Sequence, residues 1–181
     1  GVVKGSERNR LNVRSLLSTS MLKDHLDVAL GANMTYGNYK GVAMNWQGGS
    51  VMDAMNYYSP LNPIYDADGN YFLDKTSSKN YNPLSMIHED TSENIMKRQQ
   101  FTAKATAHIV KGLDWTANYS YGNRQRTSSS YSSRSSQVQE GYNGLANRNT
   151  YWGDEHNFET YLNYNQIFNK VHKLGVMAGY S

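Results

Sequence analysis

The stretch FTAKATAHIVKGLDWTANYSY, residues 101–121, decides how this sequence reads. On its first arm Phe101, Ala103, Ala105, Ala107 and Ile109 alternate with Thr102, Lys104, Thr106 and His108. After Lys111-Gly112, the residues Leu113, Trp115, Ala117, Tyr119 and Tyr121 alternate with Asp114, Thr116, Asn118 and Ser120. A period of two sends successive side chains to opposite faces of a strand. The stretch is therefore a β-hairpin with one apolar face and one face polar enough to hold Lys, His and Asp.

Five further observations bound the chain. Only 38% of its 181 residues are hydrophobic and the mean hydropathy is −0.74, while 15 Tyr and 15 Gly stand out. That is a poor recipe for a compact soluble core, yet 18% charge and aromatics in strict alternation argue against disorder. A dispersed net charge of +3 does not suit a nucleic-acid partner. Without cysteine there is no disulfide framework and no thiol or Cys-ligated metal chemistry. No apolar run approaches the roughly 18 residues of a transmembrane helix. The chain opens on GVVKGSERNR without Met and ends on LGVMAGYS in mid-alternation, so a fragment of a longer protein is expected.

Six segments carry the alternation. Leu11, Val13, Leu17, Thr19 and Met21 oppose Asn12, Arg14, Ser18 and Ser20; Leu26, Val28, Leu30, Ala32, Met34 and Tyr36 oppose Asp27, Gly31, Asn33 and Thr35. The opening hairpin supplies two more. Phe158, Thr160, Leu162, Tyr164 and Phe168 then oppose Glu159, Tyr161, Asn163 and Asn165, and Leu174, Val176, Ala178 and Tyr180 oppose Lys173, Gly175 and Gly179. The charged residues Arg14, Asp27, Lys104, Asp114 and Glu159 all keep to the polar parity, an outcome of about one in thirty by chance. Strands are predicted near residues 10–21, 25–38, 94–110, 113–127, 149–168 and 173–181.

A soluble antiparallel sandwich also alternates. Segment length favours another solvent, because a strand crossing a bilayer needs roughly 9–11 residues whereas globular strands average about five or six. The connections alternate too. Lys23-Asp24, Lys111-Gly112 and Asn169-Lys170-Val171-His172 are tight turns, and between them lie long loops at about 38–94 and 127–149. Tyr36, Tyr39, Tyr121 and Tyr151 fall near the long-loop ends, and Trp115 and Phe168 near the turn ends, as two aromatic girdles would. The expected fold is all-β: an antiparallel up-and-down meander of about six long strands, part of a transmembrane β-barrel in the outer membrane.

The first long loop carries local structure. Ser50 with Asp53 three residues on reads as a capping box ahead of VMDAMNYY, and Pro60 ends that helix. Asp68-Gly69 supplies the positive-φ position of a turn in YDADGNYF.

Four segments, GVVKGSERNRLNVRS, SPLNPIYDADGNY, NYNPLSM and FNKVHKLGVMAGYS, together resemble the barrel of SusC/RagA-type TonB-dependent transporters. That family has a Gly-x-x-x-Gly-Ser/Thr segment before an Arg-bearing strand, then a Pro-x-x-Pro-x-Tyr-Asp-x-x-Gly-x-Tyr loop and an Asn-Pro-Leu. A His-x-Leu-x-x-x-x-Gly strand follows, matched by His172, Leu174 and Gly179. The resemblance covers essentially the whole chain in the right order. It implies a plugged barrel of roughly 22 strands, residues 1–181 being a partial barrel domain with extracellular loops. It also implies a plug domain and a TonB-contacting segment outside this sequence, and a SusD-like surface lipoprotein as lid. The implied function is import of bulky nutrients, oligosaccharides or peptides, with energy delivered through the TonB complex. The alternative is a secreted β-sheet module that binds carbohydrate through a Tyr-rich face.

Candidate contact residues follow from this reading. Trp46, Tyr57, Tyr58 and Tyr131 lie in or beside the long loops, where flat rings can stack on sugar or pack loop against loop. Arg14, Lys104, Asp114 and Glu159 line the polar face. The five histidines lack zinc-helix spacing, and HED at 88–90 and DEH at 154–156 read as solvated surface. Asp66, Asp68 and Asn70 suggest a calcium loop, but the Gly comes too early, so a turn is the better reading. Ser128–Ser136 reads as a mobile polar loop. No nucleophile with a positioned base is visible, so no enzyme activity, cofactor or metal is expected.

Overall fold

The computed structural model describes residues 4–42, 50–76 and 80–181. Its strands are β1 (Glu7–Met21), β2 (Leu26–Gly41), β3 (Asp90–Val110), β4 (Leu113–Ser132), β5 (Leu145–Phe168) and β6 (His172–Tyr180). Two short helices, α1 (Val51–Tyr57) and α2 (Pro83–Glu89), lie between β2 and β3. The strands form one sheet in the order β1-β2-β3-β4-β5-β6. Side-chain pairs show each neighbour running antiparallel: Asn12 with Thr35 and Ser20 with Asp27, then Asn38 with Glu93 and Asp27 with His108. Thr106 with Thr116 and Asn94 with Ser128 continue the pattern, as do Trp115 with Thr160 and Thr127 with Thr150. Between β5 and β6 the register runs from Thr160 opposite Tyr180 to Phe168 opposite His172.

The expected barrel is not what forms. Among the described residues β1 pairs with β2 alone and β6 with β5 alone, so the sheet is an open meander with two free edges. Closure demands a common tilt and stagger of the strands, and alternation of residue type specifies neither.

Four of the strands also run three to five residues further at their loop ends than the periodicity indicates. Ser128–Ser132 belongs to β4, not to a loop, because backbone pairing does not depend on an apolar side chain there. Helix α2 escapes the period-two reading altogether. Its signal is the pair Asn82-Pro83: the Asn82 side chain caps Leu84 N–H, and proline occupies the first turn. Helix α1 begins as expected, with Ser50 and Asp53 closing a reciprocal capping box and Tyr58 ending it.

By its internal contacts the chain divides into two compact units. The loop unit comprises residues 1–10, 37–96 and 126–151; the sheet unit comprises 11–36, 97–125 and 152–181. Among the described residues, the buried hydrophobic side chains are Val51, Ala54, Met86 and Val138, with Val42, Tyr81 and Ile87 packed against them. All belong to the loop unit, whose two helices pack together.

The sheet unit has no such core. Its polar parity is defined by the contacting set Ser20, Asp27, Thr106, His108, Asp114 and Thr116. The opposite parity carries the apolar residues, and they are exposed: Leu17 by 64%, Ile109 by 53% and Val176 by 51%. Leu16, Val110, Ile167 and Met177 are exceptions, apolar and exposed on the polar parity.

Candidate functional site

Three surfaces hold the residues of interest. The first is the polar face of the sheet unit. His108 on β3 stands between two carboxylates, with Nδ1 2.7 Å from Oδ1 of Asp114 and Nε2 3.0 Å from Oδ2 of Asp27. Ser20 Oγ donates to the other oxygen of Asp27 at 2.6 Å. Period-two geometry on four adjacent strands makes this possible, since each contributing residue has the same facing parity. The row accommodates a proton on each ring nitrogen and forms a fixed polar strip. Of the four polar-face candidates, Asp114 belongs to this row, and Lys104 lines a shallow groove with Ser20, Asp27 and Thr106. Arg14 stands exposed on β1, outside the row. Glu159 accepts from Asn157 on its own strand and is not brought to the row either.

The second is the apolar face of the same unit, whose upper rows become polar. Tyr121 Oη and Asn123 Nδ2 donate to Oδ1 of Asp154 at 2.9 and 2.7 Å. Tyr119 Oη lies 2.7 Å from Nδ1 of His156, and the ring of Tyr121 stands 5.0 Å from the same imidazole. DEH at 154–156 is thus on a strand, ordered by tyrosines across the pair, rather than simply solvated.

The third is a cleft of about 420 Å³ in the loop unit, lined by Tyr65, Tyr71, Glu89, Arg134, Gln137 and Glu140 among others. Tyr65 and Tyr71 face each other across an isolated β-bridge with ring centroids 5.3 Å apart. His88 fixes the far end of Tyr71, with Nδ1 2.5 Å from Oη. One cleft thus combines aromatic walls, carboxylates, a guanidinium and an amide, the side-chain set that recognises polyhydroxylated rings.

The aromatic candidates fare unevenly. Trp46 lies outside the described residues. Tyr57 is exposed at the end of α1, and Tyr131 is exposed on β4. Tyr58 is committed to packing: its Oη donates to the carbonyl of Pro63 at 2.7 Å and accepts from Asn82. The cleft aromatics Tyr65 and Tyr71 were legible as flanks of the Asp68-Gly69 turn, but their convergence with Arg134 and Glu140 was not.

Of the two acidic motifs, one changes meaning and the other keeps the turn reading. HED at 88–90 is surface only in part: His88 is exposed and Glu89 half-buried, accepting from Ser133, but Asp90 is fully buried, with Oδ1 accepting from Ser136 Oγ at 2.8 Å. Asp66 spends Oδ1 on the backbone N–H groups of Asp68 and Asn70, a turn built on its own side chain. Asp74 collects Thr76, Asn62 and Asn80, and those hydrogen bonds, Thr76's first, hold its carboxyl well below the ordinary range.

The strands are thus an antiparallel meander with an exposed apolar parity, and the long loops carry a folded unit with its own small core. The chain is 26% identical over its full length to TonB-dependent receptor P39 of Formosa agariphila, and 24% identical to TonB-dependent receptor P3 of the same organism. It spans 17% and 18% of the length of these curated relatives. No protein-family model matches it. The chain is thus distantly similar to part of the TonB-dependent receptors, a relationship consistent with a role in outer-membrane transport.

Proposed function

We propose that the chain is part of an outer-membrane importer of the SusC/RagA type, which takes up a bulky nutrient, an oligosaccharide or a peptide. The apolar face of the sheet unit meets outer-membrane lipid, and the loops lie outside the cell. A SusD-like lipoprotein and the TonB complex are its partners, and its own role is binding and passage, not catalysis.

The observation that carries this reading is the uncovered apolar parity of β1 to β6 in a unit with no buried hydrophobic side chain. Contiguous apolar surface of that extent is expensive in water, about 25 cal/mol per Å². Hydrocarbon removes the cost. The similarity to two TonB-dependent receptors along the whole chain supports the same solvent.

The experiment is deletion of the encoding gene, with fractionation of the full-length product and uptake of labelled oligosaccharides and peptides by the two strains. Outer-membrane localisation together with loss of one uptake activity is expected. A product found in the secreted fraction would instead favour a carbohydrate-binding module, a reading to which the Tyr65–Tyr71 cleft also lends support.

A further inference from the structure

The arginines of the sheet unit, Arg14, Arg98 and Arg124, all keep to its polar parity. Thr106 pairs with Thr116 and Asn94 with Ser128, so β3 and β4 hold one register, and it sets Arg98 directly opposite Arg124. The N–H of His108 donates to the carbonyl of His25, a register that brings Thr35 beside Arg98, and Asn12 pairs with Thr35 in turn. One row therefore reads Asn12, Thr35, Arg98, Arg124. The next row toward the turns holds Arg14, Gly122 and Glu155.

Like charges directly opposite, with Cβ atoms about 4.5–5.5 Å apart, destabilise a sheet. Among the described residues Arg14, Arg98 and Arg124 are exposed and have neither an ion-pair nor a hydrogen-bond partner. Glu155, the single acid of the two rows, forms no ion pair with them. Rows nearer the turns behave otherwise, since there His108 lies between Asp27 and Asp114.

Gly122 adds an independent observation. Its φ is not positive, and a Cβ there would stand 3.8 Å from its nearest neighbour, the Cβ of Glu155. Neither backbone conformation nor crowding calls for glycine. What it leaves is a bare floor beside Arg124, and glycine within a strand marks places where a ligand comes close. A guanidinium presents a planar fork of donors, and two such forks over an open floor fit one oxyanion held between them.

We propose that Arg98 and Arg124 together bind an oxyanion, a carboxylate, sulfate or phosphate, carried by the solute that the protein imports. This rests on the import reading, in which the polar face borders the path of the solute, and deepens it: the nutrient is anionic. The bound anion cancels the repulsion that the ligand-free pair suffers, and Arg14 in the adjoining row adds to the positive field.

The test is equilibrium binding to the full-length protein purified from outer membranes. The probes are tetragalacturonate, a κ-carrageenan tetrasaccharide, polyglutamate, inorganic phosphate and neutral cellotetraose. At least one solute-borne anion should bind about tenfold or more tighter than cellotetraose, and added salt should weaken it. Arg98→Gln and Arg124→Gln should each reduce that binding about tenfold or more, and Arg98→Lys, which keeps the charge without the fork, by less. Gly122→Val, which fills the floor and leaves every charge in place, should weaken it too. A circular-dichroism spectrum matching the parent protein shows that each variant is folded. Without ligand, the urea midpoint of Arg98→Gln should equal or exceed the parent's, because one of two facing charges is gone. Unchanged anionic binding in folded Arg98→Gln overturns the proposal, as does binding of inorganic phosphate alone. A lowered urea midpoint overturns it as well, since the guanidinium then already pairs with an acid elsewhere in the full-length chain. Each of these results leaves the import reading standing if the deletion strain still loses uptake; a protein absent from the outer membrane sinks that reading separately.

Discussion

The backbone N–H of Asn82 donates to Oε1 of Gln137 at 2.9 Å, joining the α2 cap to the loop between β4 and β5. The same side chain donates from Nε2 to the carbonyls of Tyr71 and Phe72 at 2.9 and 3.2 Å. One amide thus satisfies three backbone groups from the other long loop, and the two loops fold as one unit around Met86 and Val138. Gln137→Ala removes the side-chain partner of Asn82 N–H and of the Tyr71 carbonyl and leaves Phe72 O only the long contact from Asn82 Nδ2, at about 1–3 kcal/mol for a buried group left unpaired. Amide hydrogen exchange across residues 82–89 should accelerate in the variant. Unchanged protection there would mean that the apolar contacts alone hold the loops.

Two carboxyls of the loop unit give opposite pH behaviour. Burial raises Asp90 above its ordinary value, Ser132 and Ser136 pulling against it, and its Oδ2 has no protein partner. Folded protein then keeps a proton that the unfolded chain has lost, so stability falls as pH rises from about 3.8 through the folded value. Asp74 is lowered, so its contribution is present above about 3.8 and disappears as pH falls toward its folded value. Melting curves from pH 3 to 7 should show Asp90→Asn flattening the decline at higher pH. Asp74→Asn should cost most at neutral pH and least at pH 3. A decline with rising pH that survives Asp90→Asn belongs to another group.

Gly112 turns the β3–β4 hairpin at a φ of +85°. A Cβ added there would stand 2.3 Å from the carbonyl oxygen of Asn165, whose own N–H donates to Gly112 O at 2.7 Å. Gly69 has nearly the same φ, +82°, and open space around it. An alanine in the left-handed region costs about 1–2 kcal/mol from its backbone alone. Gly69→Ala should therefore lose about that much in chemical denaturation, and Gly112→Ala distinctly more. Equal losses would show that β5 yields freely at Asn165.

These contrasts show what the chain made legible. Alternation in Phe101–Tyr121 identified the hairpin, its Lys111-Gly112 turn and the parity that brings Asp27, His108 and Asp114 together, because all three consequences are local or follow from a period of two. Ser50 and Asp53 announced α1 for the same reason. Closure was not legible: tilt and stagger are collective properties of strands, and the open edges at β1 and β6 leave no trace in residue type. Nor was the loop unit. Gln137 sits in a Ser-rich segment with nothing to mark it, and its partners lie 55 to 66 residues away. Asp90 looked like surface charge beside His88 and Glu89, and only the fold around Ser132 and Ser136 buries it.

Lipid contact on the apolar face has a paired test. Ala105 and Thr106 are neighbours on β3 with opposite parity: Ala105 shares the face of Phe101 and Ile109, while Thr106 Oγ1 lies 3.2 Å from Thr116 Oγ1 on the polar face. If hydrocarbon covers the first face, Ala105→Lys places an ammonium in it, costing roughly 2–4 kcal/mol near the midplane. Thr106→Lys loses one neutral hydrogen bond, about 1 kcal/mol, and its charge stays beside Lys104 in a polar row. Urea unfolding of the full-length protein in phospholipid vesicles, compared with the parent, measures both. A larger loss for Ala105→Lys is expected, and it should shrink when the same position receives Leu. Equal losses at the two positions would show that the apolar face is covered by something other than lipid.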